Sequence, residues 1–69
     1  MTLDDVLRLL AADCYSAGGQ KHWAAKHGLS RAYVSAVLGR KRPPSLRVLE
    51  GLGIEVVVTY QKVRDDNRL

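Results

Sequence analysis

Glycine and proline punctuation constrains this chain more than any other feature. Gly18-Gly19, Gly28, Gly39, the pair Pro43-Pro44 and Gly51/Gly53 cut the first 53 residues into short segments. Glycine suits the left-handed residue that closes a helix, and proline lacks the amide donor that would continue one. Within the segments, apolar residues recur at helical spacing. Thr2 can cap a first helix with Asp5 three residues on, and Leu3, Val6, Leu7, Leu10 and Cys14 line one face as far as Gly18-Gly19. Residues 20–27, with Trp23 and Ala24, read as a second short helix closed by Gly28. Ser30 can cap a third, with Val34, Val37 and Leu38 inward and an end near Gly39. Residues 40–44 must then loop, because Pro43 and Pro44 also restrict what precedes them. Ser45 can cap a fourth helix through Leu46, Val48, Leu49 and Leu52.

Beyond residue 53 the pattern changes to β-branched and aromatic residues at period two. Ile54, Val56, Val58 and Tyr60 share one face of an expected strand. A lone strand leaves its amides and carbonyls unpaired, and the chain has no second strand of comparable quality. A second copy, paired antiparallel, is the expected partner for residues 54–62, while residues 63–69 are polar and read as a flexible tail. The need is plausible on size, since a 69-residue chain buries only about 60% of the surface its unfolded form exposes. The 46% of hydrophobic residues is enough to build a core, but one cysteine forms no intramolecular disulfide. With an acidic start at Asp4-Asp5 and no long apolar run, the expectation is a reducing, cytoplasmic location without membrane or signal segment.

The charges are segregated. Eleven Lys and Arg against seven Asp and Glu give a net charge of +4, yet no carboxylate lies between Asp13 and Glu50. That interval holds Lys21, Lys26, Arg31, Arg40, Lys41, Arg42 and Arg47. A cationic island on a folded segment points to a polyanion partner, with a merely solvated face as the alternative.

The spacing inside the island is specific. Two short helices joined by Gly28-Leu29-Ser30 can present the second helix to a DNA major groove while the first braces it. Gln20 starts the first helix, Ala24 permits close approach of the pair, Gly28 turns the chain, and Leu29, Val34 and Val37 fall at core positions. Residues 20–52 resemble the phage Cro/repressor-type, or XRE-family, DNA-binding domains, above all in the stretch from Gly28 to Gly39, GLSRAYVSAVLG. The basic proline-containing loop and the Ser45-led helix fit the same family. Such domains usually have five helices, and here the strand takes the place of the fifth.

The resemblance implies a mainly α, four-helix, lambda-repressor-like helix-turn-helix domain over residues 1–53, with a C-terminal β-strand that pairs across a dimer. It further implies a transcriptional regulator, most simply a Cro-type phage or prophage repressor bound to a pseudo-palindromic duplex operator. Carried over position by position, Arg31, Ala32, Ser35 and Ala36 face base edges. Their chemistry suits that role, since Arg donates to guanine O6 and N7, Ser bonds either way, and an Ala methyl meets that of thymine. Gln20, Lys21, Tyr33, Arg40, Lys41 and Arg42 are the phosphate-contact candidates. Two rival readings are an antitoxin-like adaptor that binds DNA and a protein, and a pure protein-interaction module.

Other chemistry has little support in the sequence. His22 and His27 lie about 140° apart around a helix and do not converge on one metal ion. Cys14 reads as a small core residue, Trp23 as a core anchor with its N–H at the rim, and His27 as a partly buried, hydrogen-bonded side chain. No nucleophile has an evident base, so neither an enzyme, a small-molecule substrate nor a cofactor is expected.

Overall fold

The computed structural model describes residues 1–57 and residue 60, and the protein is mainly α-helical. Four helices follow in order: α1 Leu3–Ser16, α2 Gln20–Lys26, α3 Arg31–Leu38 and α4 Leu46–Gly51. Three begin at hydroxyl caps. Thr2 accepts from the Asp5 amide while Asp5 accepts from the Thr2 amide, a reciprocal capping box. Ser30 and Ser45 accept from the amides of Tyr33 and Val48. In α2 the cap is Gly19, with no side-chain acceptor.

All four helices end in the same way. In each, the residue two past the helix adopts positive φ, and two amides fold back onto carbonyls of the last turn, the Schellman closure. The left-handed residue is Gly18 after α1, Gly28 after α2 and Gly53 after α4. After α3 it is Arg40, at φ 62°, the only non-glycine residue with positive φ among the described residues. Gly39, which the sequence suggests as the terminator, keeps φ −84°.

The core is built from one face of each helix. Leu7, Leu10 and Cys14 of α1, Trp23 and Ala24 of α2, Val34 and Val37 of α3 and Val48 of α4 form one buried cluster. Leu29, Leu38, Leu52 and the ring of Tyr33 pack against it. Complete burial of side chains of this size stabilises by roughly 1.5–3 kcal/mol each before chain entropy is counted. Trp23 is 1% exposed, and its Nε1–H donates to the Asp13 carboxylate at 3.0 Å. The His27 ring lies 4.2 Å from that of Trp23 and packs against Gly51, where a Cβ would come within 2.9 Å of Nδ1. That approach explains a glycine inside the last turn of α4.

Two expectations change. Leu3, placed on the apolar face of α1 by periodicity, is 48% exposed at the first residue of the helix, where it lines an open cleft with Leu7, Val37 and Pro43. His27 is half-buried as anticipated, but the contacts of its ring are stacking and packing rather than a hydrogen bond. No strand occurs among the described residues, and 54–57 are irregular. The Ile54 amide is bound to the Leu49 carbonyl at 2.8 Å, as part of the closure of α4. Val58 and residues 59 and 61–69 of the expected strand and tail lie outside the described residues. No described helix is long and apolar enough to cross a membrane.

Candidate nucleic-acid interface

The connection between α2 and α3 fixes how α3 is displayed. Gly28 at φ 69° turns the chain, and its amide and that of Leu29 return to Ala25 and Ala24. A side chain at Gly28 would meet both left-handed strain and the Arg47 guanidinium, 3.0 Å from an ideal Cβ. Arg47 Nη1 in turn donates to the Gly28 carbonyl at 3.5 Å, so the first turn of α4 braces this connection. That brace was not legible as a role for Arg47, since nothing in the sequence ties it to a carbonyl 19 residues earlier.

With Val34 and Val37 fully buried, the opposite face of α3 is turned outward. Arg31, Ala32 and Ser35 are exposed there and Ala36 is half-buried, so the four candidate base-facing residues lie together on one helix face. The face carries one long cation and three short side chains, so a groove could approach its backbone closely.

The phosphate-contact candidates lie on α2, on α3 itself and on the loop that follows it. Lys21 is exposed in the first turn of α2 beside the half-buried Gln20. Arg40, Lys41 and Arg42 are exposed on the loop after α3, where Lys41 and Arg42 donate their amides to the Ala36 carbonyl. That loop is held at two further points and flanks a cleft. Arg40 forms the one ion pair among the described residues, with Asp4 in the first turn of α1. Leu3, Leu7, Val37 and Pro43 line a cleft of about 240 Å³ rimmed by the three cations. Tyr33 donates its hydroxyl hydrogen to the Pro43 carbonyl at 2.9 Å. The sequence offers that hydroxyl to a phosphate; in the free protein its hydrogen goes to the Pro43 carbonyl and its oxygen lone pairs remain.

Two ionisable groups among the described residues are perturbed. Asp5 is held below the ordinary carboxylate value, first by the Thr2 amide and second by the Thr2 hydroxyl contact. Burial, and secondarily the charge of Asp13, pushes the Cys14 thiol up, toward the neutral form of an inert core side chain. Among the described residues no cluster of three or more His, Cys, Asp or Glu is arranged to hold a metal ion. Of the dimerisation candidates, Ile54 is half-buried, and Val56 and Tyr60 are exposed, as is Val57 beside them.

No protein-family model, curated protein or solved structure matches this chain.

Proposed function

We propose that the chain is a sequence-specific regulator that binds duplex DNA, with α3 as the helix that enters the major groove. The observation that carries this reading is the outward face of α3, Arg31, Ala32, Ser35 and Ala36, with Arg42 of the cationic loop sharing a cleft with Ala32 and with Lys21, Arg40 and Lys41 exposed on α2 and the same loop. Short side chains beside one arginine suit direct contact with base edges, and flanking cations suit phosphates. The resemblance to Cro/repressor-type domains supplies the further reading of a repressor that occupies its operator as a homodimer. In that dimer residues 54–60 pair antiparallel with their twin, and the two copies of α3 sit roughly 34 Å apart on successive major grooves.

Selection of binding sites from random duplexes, followed by titration of the selected site at several salt concentrations, tests the proposal. Arg31→Ala should cost roughly 1–3 kcal/mol on the selected site and relax the preference at one base pair. Lys41→Ala should weaken all duplexes about equally and reduce the salt slope by nearly one. A selection that recovers no preferred sequence, at low ionic strength as well as high, rejects the reading.

A further inference from the structure

The Tyr33 hydroxyl is bonded within the chain, to a carbonyl ten residues on, and this sets the shape of the cationic loop. The intervening segment leaves α3 through a left-handed Arg40 and turns at Lys41 and Arg42, whose amides both return to the Ala36 carbonyl. Past that point no backbone hydrogen bond of the loop returns to α3, and Tyr33 supplies the missing attachment at Pro43. The ring itself packs on the core cluster, so the tether is anchored in the rigid part of the molecule. Ser30, Ala32, Tyr33 and Arg42 are thereby walls of one cleft of about 330 Å³. The loop's guanidinium thus stands beside the candidate base-facing edge of α3.

From this geometry we infer that Tyr33 is a positioning residue: it straps the Arg40-Lys41-Arg42 loop to α3 and acts on a bound polyanion through those cations rather than by touching it. The inference rests on the duplex-binding reading for its consequence, while the strap itself is a property of the free chain. An untethered loop must be ordered when its charges engage phosphate, and a tethered one is already in place.

Tyr33→Phe keeps the ring and removes only the donor, so it separates the two roles. In the free protein, trypsin should cleave after Arg40 and Lys41 about fivefold faster in the variant, and global stability should fall by no more than that factor corresponds to, about 1 kcal/mol, because the one bond lost is the bond that local opening breaks. An unchanged cleavage rate overturns the strap. With duplex DNA, the variant should bind several-fold more weakly and with a shallower salt dependence, since each lost phosphate contact removes a slope of about 0.9. In an Arg42→Ala background the same change should have little further effect. A loss that is fully additive with Arg42→Ala, at unchanged salt slope, makes the neutral hydroxyl itself the phosphate ligand and overturns the inference. If the wild-type chain binds no duplex, the interface reading fails and with it the role assigned to Tyr33, while the cleavage rates still report on the tether.

Discussion

At the scale of single residues, the side chains that do most for the fold are those that resolve a polar conflict inside the core. Trp23 brings the largest apolar surface and also an N–H that burial would leave unpaired, and Asp13 accepts it. Asp13→Leu should therefore destabilise by about 1–3 kcal/mol, the penalty of an orphaned buried donor, whereas Asp13→Asn keeps an acceptor oxygen and should lose less. Urea denaturation of the two variants checks the order. The capping box of α1 has a pH signature of its own. Because the folded protein lowers the Asp5 pKa, it contributes stability at pH values above the unfolded carboxylate value. That contribution is lost as pH falls through the folded value. Denaturation midpoints between about pH 5 and pH 2 should fall less steeply in Asp5→Asn than in the wild type, which already has the contribution at neutral pH.

At the scale of elements, the third helix ends against its local preference. Three of the four closures place glycine at the left-handed position, and α3 places Arg40 there. The left-handed region costs a residue with a Cβ roughly 1–2 kcal/mol. Arg40→Gly and Arg40→Ala both remove the guanidinium and its pair with Asp4, but only alanine retains the clash. The glycine variant should be the more stable of the two by about 1 kcal/mol, less the entropy its unfolded chain gains, and both should bind duplex DNA equally weakly. Thermal melts and duplex titrations of the pair check this, and equal stabilities would remove the argument that a functional charge is kept at the expense of backbone comfort. The four helices were legible from their punctuation: Thr2, Ser30 and Ser45 cap three of the starts, and glycines lie two residues past three of the ends. The exposed face of α3 was legible too, since burying Val34 and Val37 leaves Arg31, Ala32 and Ser35 outside. What escaped the sequence are the contacts that join distant positions, Asp13 with Trp23, Asp4 with Arg40, Tyr33 with Pro43 and Arg47 with Gly28, because no local periodicity encodes which polar atoms meet across a packed core. The alternation from Ile54 announces a strand, but a ladder needs a partner, and in the single chain residues 54–57 are irregular, with the amide of Ile54 bound by the end of α4.

At the scale of the molecule, the proposed dimer makes a prediction that separates it from the single chain. The buried cluster involves α1 to α4 and nothing beyond, while Val56, Val57 and Tyr60 are 53%, 70% and 95% exposed. Replacing Val56 by aspartate therefore removes no contact from the core of one chain. A loss of stability that depends on protein concentration would come from an interface between copies, where a carboxylate would be set against its own twin across the two-fold axis. If residues 54–60 pair between copies, the wild-type melting temperature should rise with protein concentration, because association binds the folded state alone. The Val56→Asp chain should sediment as a monomer, melt at a temperature independent of concentration, and bind a full pseudo-palindromic site no more tightly than a half-site. The last comparison matters because two linked copies of α3 gain affinity from simultaneous engagement that one copy lacks. A wild-type chain that sediments as a monomer at tens of micromolar, with a melting temperature indifferent to concentration, would leave each α3 to act alone and would limit recognition to a single major groove.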